Sequence, residues 1–229
     1  MGSDFQRART PEHKEERRAQ LLDTAAEFLA AGGPLHDLGL NELARRAGMA
    51  KSNVYRYFES REALLLELLE RAFAQSFQLF MERAAPRAPL SLDVFAQHFA
   101  GALAQQPLLG QLTSALPSVL EHNLSKEAIR SFKLGALAFL REVAAGCHEL
   151  CPALTAEQHL DLLAHALILI TGLWPHAHPA QVVRELVQEP ELAPFAHDYA
   201  PDLERAVRLY ARGLLAEAED LNRAVRASE

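Results

Sequence analysis

Between residues 51 and 57 the chain places Lys51, Ser52, Asn53, Tyr55, Arg56 and Tyr57 almost side by side. Ammonium and guanidinium groups neutralise phosphates, while hydroxyl and amide groups donate to or accept from phosphate oxygens and base edges. A solvated helix face also carries Lys and Arg, but two tyrosines flanking an arginine are uncommon on a surface that meets only water. The chemistry these residue types permit is recognition of a duplex. Nothing along the chain speaks for bond making: there is no nucleophile–base pairing, no Gly-rich phosphate loop, and no pair of carboxylates at helical spacing in an apolar setting. The chain is expected not to be an enzyme and to need no cofactor.

A second cluster, Cys147-His148-x-x-Cys151, with His176-x-His178 further on, contains residue types that bind metals. The two thiols lie at i and i+4 and share a helical face. Pro152 follows at once, however, and a metal asks for three or four protein ligands. Two reduced cysteines at a helix end are the expected outcome, with no metal site. The alternative reading is a helical ligand-binding module, or a metal or redox sensor using Cys147, His148 and Cys151. Two cysteines make no disulfide framework and suit a reducing cytoplasm, the expected location. Residues 1–20 are charged, unlike a secretory signal. No uninterrupted apolar run reaches the roughly 20 residues that cross a bilayer, so no membrane partner is expected.

The elements that must position these groups are helical. Ala and Leu are plentiful, β-branched residues are few, and no alternating strand pattern or internal repeat occurs. A first helix spans 12–30, with Thr10 as its candidate cap, and Gly32-Gly33-Pro34 stops it. A short helix at 40–47 ends at Gly48, and another spans about 51–58. Together these two form a helix-turn-helix, with Leu43, Ala44, Ala47, Val54 and Phe58 facing inward. Ser60 caps a long helix over 60–83. Further helices are expected at 91–105, 107–121, 125–150, 155–173, 179–188 and 202–222, with Pro152, Pro175, Pro179 and later prolines punctuating them.

Charge divides the chain. Residues 1–58 hold nine Lys/Arg against eight Asp/Glu, and the remainder fourteen against twenty-two, so the net −7 belongs to the later part. Only the first segment welcomes a phosphate backbone. The expected division is a DNA-binding domain over 1–59 and a ligand-binding and dimerisation domain over 60–229, with helix 60–83 linking them.

Residues 17–66 resemble the DNA-binding segment of the TetR family of transcriptional regulators. The resemblance rests on Leu21-Leu22-Asp23-Thr24-Ala25-Ala26, Leu43-Ala44 with Ala47-Gly48, Tyr55-x-x-Phe58, and Ser60-Arg61-Glu62-Ala63-Leu64. It implies that Lys51 and Tyr55 bind phosphates. Ser52, Asn53 and Arg56 would reach base edges or the neighbouring backbone, and Tyr57 would contact the backbone. Three positions depart from the family pattern: Gly39 and Ala50 stand where Ser or Thr commonly caps the two short helices, and Arg61 replaces the commoner Lys. The resemblance also implies an all-α fold, with a three-helix DNA-binding head and a larger helical domain whose last two long helices pair with a second subunit. The protein is then expected to be a repressor that binds a palindromic operator as a homodimer and is released by a small, mostly apolar effector.

For the effector, Phe95, Phe99, Leu120, Phe132, Phe139, His165 and Trp174 are the expected lining, with His165 as the polar handle. Each has a plainer reading as core. Leu160, Leu163, Leu167 and Ile170 form one stripe on the 155–173 helix, and Leu162, Ile168 and Leu169 cover its other faces. A helix apolar on most sides needs both a core and a partner.

Overall fold

The computed structural model describes residues 11–117 and 124–228, so Arg7, Arg9, Thr10 and Leu120 lie outside the described residues. Ten α-helices and short 3₁₀ turns make up the described chain, with no strand among its residues. Two compact units are present, Met1–Leu69 and Glu70–Glu229. The boundary between these units falls within the long helix.

In the first unit, α1 (Pro11–Ala30), α2 (Leu40–Arg46), α3 (Lys51–Val54) and the opening turns of α4 (Arg61–Ala84) enclose a small core. Leu21, Leu43, Val54, Phe58, Leu64 and Leu65 are essentially inaccessible within it. Both glycine stops act as the sequence suggests. Gly32 takes φ +84° and Gly48 φ +64°, the left-handed region that a side chain rarely enters. Each stop is a Schellman motif. Gly33 N–H returns to Phe28 O at 3.0 Å, and Met49 N–H to Ala44 O at 2.9 Å.

The second unit holds the rest of α4, followed by α5 (Leu92–Ala104), α6 (Pro107–Ala115), α7 (Lys126–Leu150), α8 (Ala156–Ala177), α9 (Gln181–Leu186) and α10 (Tyr199–Ser228). Local caps start several of them: Ser91 Oγ accepts from Val94 N–H, Ser125 Oγ from Ala128 N–H, and Thr155 forms a capping box with Gln158. α10 buries Leu203, Val207 and Ala211, at i, i+4 and i+8, and packs most extensively on α5. α8 packs on α6, α7 and α10 through Leu162, Leu163, Ala166 and Ile170. By length and composition α8 could cross a membrane, and part of its apolar surface is packed on three neighbouring helices. The helix continues through Pro175 to Ala177 instead of stopping at 173. Near a helix end, the one hydrogen bond that a proline removes costs less than it would in the middle.

Trp174 fixes where α6 meets α8. Its indole covers Gly110, so that a Cβ there would lie inside the ring. On its other sides Trp174 stacks on His178 (centroids 3.7 Å apart) and meets Tyr199 edge-on at 5.0 Å. Gly110→Ala should therefore overpack the contact and cost about 1–3 kcal/mol. A lowered melting midpoint and an altered emission from Trp174, the chain's single tryptophan, are expected. Gly101→Ala, with open space around its would-be Cβ, should show neither change. Equal behaviour of the two variants would contradict this packing.

A candidate nucleic-acid interface and an apolar cavity

α3 is a single α-helical turn, shorter than the 51–58 helix expected from sequence. After Val54 the backbone tightens: Arg56 N–H bonds Asn53 O and Tyr57 N–H bonds Val54 O, both i→i−3 bonds. Phe58 N–H still reaches Val54 O at 3.1 Å, which keeps Val54 and Phe58 stacked inward. The tightened turn leaves Lys51, Ser52, Tyr55 and Arg56 exposed and Asn53 and Tyr57 half-buried. Lys51 Nζ lies 5.7 Å from the centre of the Tyr55 ring. Neither Gly39 nor Ala50 supplies a side-chain cap.

Charges on α2 are engaged differently. Glu42 accepts from Arg45 at 2.8 and 2.6 Å and from Arg46 at 2.6 Å. These bonds pull its carboxyl well below the usual range, to about 2. The Arg46 guanidinium also covers the Phe28 ring at 4.3 Å. Lys51 and Arg56 form no ion pair among the described residues, which leaves their charge for a partner outside the unit.

Two arginines, neither of them among the sequence-assigned contacts, hold this surface in place. Arg18 on α1 grips Glu67 on α4 with a two-pronged bond, Nε to Oε1 being 2.7 Å, and donates Nη1 to Tyr57 O at 2.8 Å. Arg61 donates Nε to Leu38 O at 2.9 Å and Nη2 to Leu35 O at 2.6 Å, tying the 35–38 turn to the start of α4. Ser60 caps that helix through Ala63 N–H at 3.0 Å.

In the second unit two cavities share Phe73, Phe139, Leu140 and Leu167 as walls. The inner one, about 40 Å³, lies among Phe77, Phe80, Phe99, Leu163 and Ile170. The outer one, about 290 Å³, adds Phe132, Gly135, Ala136 and Glu70. Ser76 is the polar group in the inner wall, and its hydroxyl is already donated to Ala72 O at 2.8 Å. Such a lining suits an apolar molecule with few polar groups.

Of the expected lining, Phe99, Phe132 and Phe139 face these cavities. Phe95 does not: it is fully buried behind them, edge-on to Phe80 at 5.4 Å and parallel to Phe99 at 5.9 Å. Trp174 is committed to Gly110. His165 does not line them either. It is half-exposed on the α8–α10 seam, stacked on Tyr210 at 4.5 Å, with the Tyr210 hydroxyl 2.9 Å from its Nδ1 and donating to Asp161 at 2.8 Å.

The cysteines are both free and fully buried. Burial pushes the Cys147 thiol up to about 12 and raises Cys151 as well, so both are protonated at neutral pH. Among the described residues no group of three metal-binding side chains comes together. His148 donates Nδ1–H to Leu154 O at 2.7 Å.

His159 is a buried imidazole in the core. It donates Nε2–H to Cys151 O at 3.0 Å, while Nδ1 has no partner among the described residues. Burial, and secondarily the charge of His148, hold it below the ordinary 6.5. His98 is lowered too, by burial and then by Arg87 and Arg83. The unfolded chain takes up protons at these imidazoles as pH falls through about 6.5, and the folded chain resists. Their contribution to stability is thus complete above that pH and declines below it. The melting midpoint should drop between pH 7.5 and pH 5, and His159→Gln should reduce the drop. An identical drop in the variant would place the effect elsewhere.

Residues 21–68 match the model for bacterial regulatory proteins of the tetR family, and residues 65–218 match the tetracyclin repressor-like C-terminal domain. Over 90 residues, 38% of this chain and 45% of the relative, the chain is 29% identical to the fatty acid metabolism regulator protein of Bacillus subtilis. Over 62 residues, 27% of this chain and 28% of the relative, it is 40% identical to the HTH-type transcriptional regulator EthR of Mycobacterium tuberculosis. The matches span less than half the length of these curated relatives. A solved regulator structure from Pseudomonas aeruginosa PAO1 shares the fold with TM-score 0.50 at 17% identity, over 95% of this chain and 98% of that one.

Proposed function

The chain belongs to the tetR family of bacterial regulatory proteins and is a DNA-binding transcriptional regulator, and we propose that it is a cytoplasmic repressor that binds a palindromic operator as a homodimer and leaves it when a small, mostly apolar ligand fills the second unit. The observation that carries the reading is the exposed set Lys51, Ser52, Tyr55 and Arg56, presented on one turn behind the Gly48 stop. Asn53 and Tyr57 join it at the edge. One such head reads few base pairs, and two heads on half-sites a helical turn apart give useful specificity.

Dimerisation is supported by an outward seam on α8 and α10. Ala164, Ile168 and Gly172 on α8 are exposed at i, i+4 and i+8, and Leu209, Gly213 and Ala216 on α10 at i, i+4 and i+7. Ile168 is 68% and Leu209 55% exposed. Small residues beside large apolar ones let a second helix pair approach closely, and such a pair covers both. For the effector, the adjacent cavities on Phe99, Phe132 and Phe139 favour an apolar ligand, in keeping with a relative named for fatty acid metabolism. Release follows if the ligand favours a conformation that binds DNA weakly over the one that binds it well.

Footprinting on the DNA upstream of the protein's own gene tests this. Protection of an inverted repeat, at two chains per site, is expected. Adding the compound that mass spectrometry finds retained on the purified protein should remove it. Protection without inverted symmetry, or insensitive to that compound, would sink the corresponding half of the proposal.

A further inference from the structure

The two apolar cavities of the second unit follow one another along the helices that wall them. On α4, Glu70 and Phe73 border the outer one, and Phe73, Ser76, Phe77 and Phe80 the inner. On α7, Phe132, Gly135, Ala136, Phe139 and Leu140 border the outer one, and Phe139, Leu140 and Val143 the inner. Both helices therefore run from the outer cavity towards the inner. Glu70 to Phe80 is ten residues, about 15 Å along α4, and Phe132 to Val143 is eleven, about 17 Å along α7.

The width changes along that line. On α7, Phe132, Gly135, Ala136 and Phe139 stand at i, i+3, i+4 and i+7, one face on which two small residues separate two rings. A Cβ at Gly135 would meet nothing within 4 Å. This gap opens onto the outer cavity of about 290 Å³, against about 40 Å³ for the inner one. Glu70 and Gly135 are exposed, whereas Phe80, Leu163 and Ile170 in the inner wall are buried, so the mouth lies at the outer end. The hydroxyl in the inner wall, that of Ser76, already donates to Ala72 O. At the mouth both signs of charge are present. Glu70 borders the outer cavity, and Lys133 Nζ stands 6.0 Å from the centre of the Phe132 ring.

We infer that the effector is one unbranched alkyl chain with an uncharged polar head, its methyl end in the inner cavity and its head at the mouth beside Glu70, and that Gly135 sets the size of what enters. The inference rests on the apolar-ligand reading proposed above. Length follows from the helices: an extended chain advances about 3.5 Å for every three bonds, so roughly 15 Å holds about a dozen carbons. Shape follows from the two widths, since a branched or cyclic body suits the outer volume but cannot extend into the inner one. Charge follows from the mouth. A carboxylate head would meet Glu70 and an ammonium head Lys133, and like-charge contact selects against both. A hydroxyl can donate to the carboxylate and accept from the ammonium.

Equilibrium dialysis of the full chain against straight-chain alcohols of six to sixteen carbons tests this. Affinity should rise about fourfold per carbon and level off near twelve. Dodecanol should bind at least tenfold more tightly than dodecanoate, dodecylammonium or the ring-shaped cyclododecanol. Gly135→Leu places its side chain in open space and replaces a poor helix former, so it should fold at least as stably as wild type and move the levelling point to shorter chains. Levelling at eight carbons or fewer in the wild type overturns occupation of the inner cavity. Dodecanoate bound as tightly as dodecanol overturns the uncharged head, and an unmoved levelling point in Gly135→Leu overturns the role of that residue. If no alcohol binds, yet a compact compound retained on the purified protein removes it from its operator, the alkyl chain is overturned and the ligand-released repressor stands. If the alcohols bind as expected but leave operator binding unchanged, release by ligand falls and the chain site stands.

Discussion

Replacing Lys51 with alanine is expected to weaken operator binding by at least tenfold, and Arg56→Ala by a similar or larger factor, with no change in melting midpoint. Both side chains are exposed and outside any internal ion pair among the described residues, so folding does not depend on them. A guanidinium on a base edge is worth about 1–3 kcal/mol of discrimination, and a lysine on a phosphate contributes about one unit to the salt slope. A dimer presents each residue twice. Lys51→Ala should therefore flatten the dependence of log affinity on log salt by about two units and weaken all sequences alike. Arg56→Ala should instead blur the preference at one symmetric pair of positions. Tyr55→Ala should act in the same direction as Lys51→Ala, since the ring that Lys51 overlies is half-exposed and adds little to the core. Unaltered affinity in Lys51→Ala and Tyr55→Ala together would remove this surface from the interface.

Much of the frame that carries these residues could be read before any coordinates. Glycine stops at Gly32 and Gly48, the cap at Ser60 and the Leu163–Ile170 part of the α8 stripe are local signals, and local signals survive folding. The inward spacing of Val54 and Phe58 was equally legible. It misled on length, because an i, i+4 pair is satisfied as well by one α-turn and two tighter bonds as by a regular helix. Pro175 marked a break that packing overrode: a proline close to a helix end forfeits one bond while Trp174 and Ile170 stay anchored.

The contents of the second unit were less legible, since lining and core have the same composition. Phe95 and Phe99 are one turn apart on α5, yet only Phe99 borders the cavity, because Phe80 covers the Phe95 ring. His165 stood out as the polar residue on an apolar stretch. Its partners are Asp161 one turn back and Tyr210 forty-five residues on, and only the second required knowledge of how α8 meets α10. Arg61 appeared a conservative exchange for lysine. In place, its planar fork spans two carbonyls, those of Leu35 and Leu38, a geometry a single ammonium does not reproduce.

Arg18→Met should be the most damaging change in the first unit that lies outside the reading surface. Its side chain ends on Glu67, forty-nine residues away, on the Tyr57 carbonyl, and over the Phe58 ring at 4.8 Å. One guanidinium thus links α1 and α4 to the turn that presents Tyr55 and Arg56. Methionine keeps the apolar stem but strands the Glu67 carboxylate and leaves the Tyr57 carbonyl without its donor. Such losses cost about 1–3 kcal/mol, here nearer the lower figure because Arg18 and Glu67 retain 33% and 27% exposure. The melting midpoint of the first unit should fall by several degrees, and operator affinity should fall with it although residue 18 is not assigned to DNA. Arg18→Lys should recover only part of both, since one ammonium replaces a fork that serves two acceptors. Glu67→Gln tests the pair from the other side: the double variant Arg18→Met/Glu67→Gln should be less destabilised than the two single effects added together. Strict additivity, or wild-type affinity in Arg18→Met, would mean that the turn bearing Tyr55 and Arg56 holds its shape without this clamp.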